Sequence, residues 1–152
     1  MKTVKDILQS KQKVFNTIPS DTLVYDALVQ LNSVNLSYLV VIDGLEYKGI
    51  FSERDYTRNV ILKGRASNST FVKEVMTTDL PMIALTDSAE HCMHMMNAHK
   101  VRYLLAYDDK RNFAGVITIH DLLRQVIANK TEIFDHSVTQ ALLDHDESGL
   151  VL

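Results

Sequence analysis

Gly49-Ile50-Phe51-Ser52-Glu53-Arg54-Asp55-Tyr56 is the stretch that decides the fold, because the chain contains it twice. Ile50 and Phe51 suit a strand interior, while Ser52 and Asp55 are residue types that end strands and cap helices. Beyond them Tyr56, Val60 and Ile61 continue at helical spacing to about Leu62, and Gly64 supplies a stop. The second copy is Gly115-Val116-Ile117-Thr118-Ile119-His120-Asp121-Leu122. The glycines and the aspartates are each 66 residues apart (115 − 49 and 121 − 55).

The flanking sequence repeats as well. Tyr38-Leu39-Val40-Val41-Ile42-Asp43 reads as a strand, with Tyr47 to Phe51 as its hairpin partner, and Tyr103-Leu104-Leu105-Ala106-Tyr107-Asp108 answers it. Ser20, Asp21 and Thr22 offer N-caps to a helix with Val24, Ala27, Leu28 and Leu31 on one stripe; Thr86-Asp87-Ser88 and the helix carrying Cys92, Met93 and Met96 correspond. A short strand over Val14–Ile18, ended by Pro19, matches Met82-Ile83-Ala84-Leu85, and Val4-Lys5-Asp6-Ile7-Leu8 is echoed by Val72-Lys73-Glu74-Val75-Met76. A polar connector, residues 63–70, separates the copies.

Two such units point to an internal repeat. Neither copy is large enough to bury a sheet face alone, so two units packed face to face with pseudo-twofold symmetry are expected. The fold class expected is α+β: two repeats, each a small sheet with two flanking helices, packed through their sheets. The divisions are residues 1–66, 67–130 and a tail from 131 to 152.

Composition narrows the setting. The 152 residues are 46% hydrophobic, and no apolar run approaches the ~20 residues of a membrane span. The start shows no secretory signal region, and Asp6 argues against a mitochondrial transit peptide. A lone Cys92 forms no internal disulfide and a net charge of −3 gives no general pull toward nucleic acid. A cytoplasmic protein without nucleic-acid or membrane partners is the expectation.

The doubled signature resembles a tandem pair of cystathionine-β-synthase (CBS) domains, a Bateman module. The pattern is a glycine, a hydrophobic pair, Ser or Thr, two variable positions and Asp, which both copies satisfy. The resemblance covers roughly Val4 to Ala128. The run from Ser52-Glu53-Arg54-Asp55-Tyr56 through Lys63-Gly64-Arg65 to Val75-Met76-Thr77 is similar to small stand-alone CBS-pair proteins of bacteria and plant organelles.

That resemblance implies two symmetry-related clefts for adenosine nucleotides, AMP first, with ATP, ADP or NAD as alternatives and S-adenosyl or dinucleotide analogues also open. The chemistry fits. Asp55 and Asp121 are suited to accept from a ribose diol, and Ser52 and Thr118 to meet the ribose and α-phosphate region. Helix N-terminal N–H groups and the fork of Arg54 favour phosphate. In the second copy His120 replaces Arg54 and, with an unperturbed pKa of ~6.5, carries only part of a charge at neutral pH. Unequal sites are therefore expected, the Arg54 site binding phosphorylated ligands more tightly. In the family the base is gripped near the first strand of the opposite repeat and at the start of the second strand. Those segments are Lys11–Asn16, Leu36–Tyr38, Met76–Pro81 and Val101–Tyr103 here, with Asn16, Ser37, Tyr38, Pro81, Arg102 and Tyr103 as candidates and the tyrosines placed to stack.

Simpler readings exist for the same residues. Ser52-x-x-Asp55 and Thr118-x-x-Asp121 also describe helix caps, and Arg54 an ordinary surface arginine. His91-Cys92-Met93-His94-Met95-Met96 has soft ligands at helical spacing, but the sulfurs fall on core positions of the first copy and read as packing. Asp144-His145-Asp146-Glu147 reads as solvated. The last helix is expected to run on beyond Asn129 through Phe134, and Ala141, Leu142 and Leu143 either dock on a partner or belong to a disordered tail. No P-loop, nucleophile elbow or zinc spacing is present.

The expected function is a non-catalytic nucleotide sensor. No appended domain is visible, so its output is expected to act in trans on a regulated protein, with homodimer contacts through Tyr56 and Val60 and through Leu122, Val126 and Ile127. The alternatives are a structural dimerisation module with one or both clefts empty and a small nucleotide- or metal-dependent enzyme.

Overall fold

The computed structural model of the chain describes residues 2–11, 16–34, 36–128 and 136–145. Two compact units are present: Gln12–Asp79, and Met1–Lys11 together with Leu80–Leu152. The chain is α+β, each unit carrying one three-stranded sheet and its helices.

In the unit Gln12–Asp79 the sheet order is β1 (Thr17–Ile18), β2 (Tyr38–Asp43), β3 (Glu46–Ser52), with β1 parallel and β3 antiparallel to β2. The expected strand over Val14–Ile18 is short; Val14 and Phe15 lie outside the described residues. Strand alternation sends Leu39, Val41 and Phe51 into a core with Val24, Ala27 and Leu31 of α2 (Val24–Val34). Val40 and Ile50, paired with each other on the opposite face, are also buried, which explains the unbroken apolar run of β2.

β3 passes directly into α3 (Glu53–Asp55), and the winding then widens to a π-helix over Tyr56–Ile61, where an ordinary α-helix is expected from the sequence. Two anchors accompany the wider turn. Val60 is fully buried in the core, and Asn59 Nδ2 donates to the Val75 carbonyl at 3.1 Å; Val60, and Leu122 in the other core, are thus packed within their own units rather than exposed for the homodimer contact expected of them. A 3-10 turn, Val72–Glu74, leads into a segment laid along β3, where Thr77 and Ile50 exchange backbone hydrogen bonds of 2.8 and 2.9 Å. Gly49 permits this approach: a Cβ there would stand 2.8 Å from the Thr77 carbonyl oxygen and from Met76 Sδ.

The other unit repeats the plan with β4 (Met82–Ala84), β5 (Tyr103–Tyr107) and β6 (Phe113–Thr118) in the same parallel and antiparallel arrangement. Ile83, Leu104 and Ile117 meet α4 (Ala89–His99) and α5 (Ile119–Ala128) in its core. Helix α1 (Val4–Ser10), opened by a Thr3/Asp6 capping box, also belongs here. Its Val4 and Lys5 N–H groups donate to the Asp87 and Leu85 carbonyls, and Leu8 lies against Gly115, where a Cβ would stand 2.9 Å from Leu8 Cδ2. The segments before β1 and β4 are thus exchanged with respect to sequence order. Residues 2–11 pack with the second sheet, residues 72–77 with the first.

Cys92, Met93 and Met96 are fully buried in this core, so the sulfurs are packing, as their repeat positions imply. Helix α6 (His136–His145) corrects one expectation. Val138 and Leu142, four apart on one helical face, are buried in the same core against α4, so Leu142 docks on its own chain rather than on a partner. The continuation through Phe134 lies outside the described residues, as do Asp146 and Glu147.

Candidate functional site

Each sheet ends at the same local device. In the first, Ser52 terminates β3 because its hydroxyl accepts from the Asp55 N–H (3.2 Å), while Asp55 Oδ2 accepts from the Ser52 N–H (2.9 Å) and hydroxyl (3.0 Å). In the second, Thr118 Oγ1 accepts from the Asp121 N–H (3.2 Å) and Asp121 Oδ2 from the Thr118 N–H (2.9 Å). The capping role anticipated for both pairs is real. All four residues are buried, at 8%, 6%, 6% and 3% exposure for Ser52, Asp55, Thr118 and Asp121.

The neighbouring candidates are assembled by backbone pairing. Tyr38 pairs with Ser52, and the Ser37 carbonyl accepts from the Glu53 N–H at 3.2 Å; Asn16 accepts from the Val40 N–H at 2.7 Å. In the other unit Tyr103 pairs with Thr118, the Arg102 carbonyl accepts from the Ile119 N–H at 3.0 Å, and Pro81 accepts from Leu105 at 3.0 Å. Asn16, Ser37, Tyr38, Ser52 and Asp55 therefore share one end of the first sheet, and Pro81, Arg102, Tyr103, Thr118 and Asp121 the matching end of the second. Tyr38 is buried and Tyr103 half-buried, while Arg54 is half-buried and His120 exposed.

Each aspartate has a further partner, and here the copies diverge. Thr77 Oγ1 donates to Asp55 Oδ1 at 2.7 Å. Asp121 instead meets cations: Lys11 Nζ at 2.8 Å on Oδ2 and Arg124 Nη2 at 3.0 Å on Oδ1. Arg58 stands three residues after Asp55, as Arg124 does after Asp121, yet it is exposed on the π-helix and makes no ion pair with Asp55 among the described residues.

Burial pushes the Asp55 carboxyl up; hydrogen bonds from Thr77 and Ser52 and the Arg54 charge only partly offset this, leaving it above its ordinary value. Burial pushes Asp121 up as well, but the Lys11 charge and hydrogen bond, the Thr118 N–H and Arg124 outweigh it and hold that carboxyl below its ordinary value. A carboxylate offers about four acceptor positions, and three are engaged at each aspartate. Each site can thus accept from a further hydroxyl.

Thr77 and Lys11 were legible only as members of the flanking segments 76–81 and 11–16. Nothing in either residue type marks it as an aspartate partner.

The family model for the CBS domain matches residues 4–61 and 72–128, one copy on each repeat. The chain belongs to the CBS domain family. As a CBS pair it is 32% identical over 139 residues to the mitochondrial CBS domain-containing protein CBSX3 of Arabidopsis thaliana, covering 86% of this chain and 67% of that protein. It spans only 21% of the inosine-5'-monophosphate dehydrogenase of Methanocaldococcus jannaschii, at 28% identity and 72% of this chain. A CBS-domain protein of Burkholderia ambifaria superposes with a TM-score of 0.76 at 33% identity, over 88% of this chain and all of that one. Two further structures share the fold below 25% identity. They are CBSX2 in complex with AMP (22%, TM-score 0.65, 84% and 98% of the two chains) and the CBS pair of MJ0100 in complex with 5'-methylthioadenosine and S-adenosyl-L-methionine (23%, TM-score 0.69, 85% and 98%).

Proposed function

We propose that this CBS pair binds an adenosine nucleotide, AMP first, at the Asp55 and Asp121 sites and regulates a partner protein without catalysis of its own. The observation that carries this reading is the buried Ser52–Asp55 junction and its twin at Thr118–Asp121, each placing acceptor oxygens beside a helix start. A ribose diol needs acceptors, which each junction supplies, and Arg54, next in sequence to Asp55, is of a type suited to phosphate. The ligands held by CBSX2 and MJ0100 share adenosine as their common part. ADP, ATP, NAD and S-adenosyl compounds belong to the same class.

Arg54 beside Asp55, against the exposed His120 beside Asp121, supports tighter binding of a phosphorylated ligand at the Asp55 site. Titration calorimetry with AMP on the wild type and R54A tests this. The reading expects about tenfold weaker AMP binding in R54A, the worth of one charge-assisted hydrogen bond, and an unchanged constant removes Arg54 from the site. Asn16, Ser37, Tyr38, Pro81, Arg102 and Tyr103 are the proposed walls around the base.

The sequence repeats are residues 1–66 and 67–130, with residues 2–11 and 72–77 each packing in the unit of the other repeat. The pair works as a homodimer in a reducing compartment such as the cytoplasm, and ligand acts by differing in affinity for two states of the assembly. No described helix is long and apolar enough to cross a membrane. A purely structural module is the second reading, favoured by the completeness of both capping arrangements. Native mass spectrometry separates the two: co-purifying adenosine ligand supports sensing, and a ligand-free dimer that takes up no nucleotide supports scaffolding.

A further inference from the structure

Lys11 makes two bonds in the second unit that correspond to two bonds of Thr77 in the first. Thr77 gives its hydroxyl to Asp55 at 2.7 Å and its backbone N–H to the Ile50 carbonyl at 2.8 Å. The Lys11 ammonium bonds the same two groups, donating to the Val116 carbonyl at 2.9 Å and at 2.8 Å to Asp121 Oδ2, the oxygen that also takes the Thr118 N–H, while Arg124 holds Oδ1, the counterpart of the oxygen that Thr77 holds. Ile50 and Val116 each precede their aspartate by five residues (55 − 50 and 121 − 116), so the acceptors match.

The means of attachment differ. Residue 77 is clamped by two backbone bonds to Ile50, whereas the Lys11 N–H returns to Leu8 of its own helix, and among the described residues no backbone bond joins Lys11 to β6. Its side chain is 25% exposed while that of Asp121 is 2% exposed, so solvent reaches the lysine side chain but scarcely the carboxylate it pairs with. Hydroxyls such as those of Ser52 and Thr77 can turn to share a carboxylate with an incoming diol, because they both donate and accept. An ammonium only donates, and moving it breaks an ion pair.

We propose that Lys11 is a built-in competitor for the Asp121 site: its ammonium holds acceptor positions that a ligand diol requires, and ligand enters by displacing it. This deepens the nucleotide reading above and rests on it. It adds Lys11, the C-cap of α1 and outside the signature, to His120 as a cause of the weakness of the Asp121 site.

The test uses the full chain and AMP as probe. Calorimetric titration of wild type, K11T and K11M, each checked for folding by circular dichroism, is expected to show two unequal binding events in the wild type. Both variants strengthen the weaker event by about tenfold, the worth of one charge-assisted hydrogen bond, and leave the tighter one unchanged. On the unmutated protein, amine acetylation read by mass spectrometry supplies a second measure: Lys11 is protected without AMP and becomes reactive at saturation. If AMP binds the wild type and the variants leave the weaker event unchanged or weaken it, or saturation leaves Lys11 protected, the competitor role is overturned while the nucleotide reading stands. If AMP binds neither wild type nor variants, the nucleotide reading itself falls, and the competitor with it.

Discussion

Thr77 donates a 2.7 Å hydrogen bond to Asp55, so the buried carboxylate at the head of α3 is completed by a neutral hydroxyl from the segment that follows its own repeat. In the second copy that completion comes from the Lys11 ammonium and Arg124. The two aspartates therefore occupy one geometry with opposite electrostatics.

Amide replacement separates them. Asp121→Asn removes the charge that Lys11 and Arg124 share, and is expected to destabilise the fold by about 1–3 kcal/mol at neutral pH. Asp55→Asn loses no cationic side-chain partner seen in the hydrogen bonds of its carboxylate and relieves a desolvated charge. Its urea midpoint at neutral pH should match or exceed that of the wild type. Equal losses in the two variants would contradict the electrostatic difference.

The pH dependence follows with opposite signs. The Asp121 carboxyl lies below its unfolded value of about 3.9, so its stabilisation is present above that value and is lost as pH falls through the lower folded pKa. The Asp55 carboxyl lies above its unfolded value, so its contribution is full below about 3.9 and is lost as pH rises through the folded pKa. Denaturation between about pH 6 and pH 3 should show a shallower acid loss for Asp121→Asn than for the wild type, and a steeper one for Asp55→Asn.

Backbone proximity gives a third expectation. Gly49→Ala places a methyl 2.8 Å from the carbonyl oxygen of Thr77, a residue held by two backbone bonds to Ile50. It should cost about 1–3 kcal/mol in denaturant unfolding, as overpacking does. A neutral result would mean that the Thr77 segment yields.

Helix α6 is a working part of its unit. Leu142→Ala empties a fully buried position against α4 and should cost about 2–4 kcal/mol. A loss below about 0.5 kcal/mol, the size of a surface substitution, would detach α6 from the core.

Much of this was legible in the chain. The doubled signature led to both sheets, to the strand-to-helix junctions and to the burial of Cys92, Met93 and Met96, because strand and helix periods leave local marks. The exchange of the leading segments was not legible: Val4–Leu8 and Val72–Met76 look alike, and nothing local says which sheet each one covers. Lys11 and Thr77 escaped for the same reason, since their roles depend on a contact 110 and 22 residues away. The π-helix over Tyr56–Ile61 keeps an ordinary helical pattern in sequence and differs only through the Val60 and Asn59 anchors. Leu142 was visible as apolar, but its destination on α4 was not.

The most direct measurement is calorimetric titration of AMP into the wild type and into the folded double variant Asp55→Asn/Asp121→Asn. The account predicts saturable binding to the wild type and its weakening, by about tenfold or more at each site, when both carboxylates become amides, from one charged hydrogen-bonding site at each junction. Undiminished AMP binding by the double variant, or none by the wild type, would contradict it.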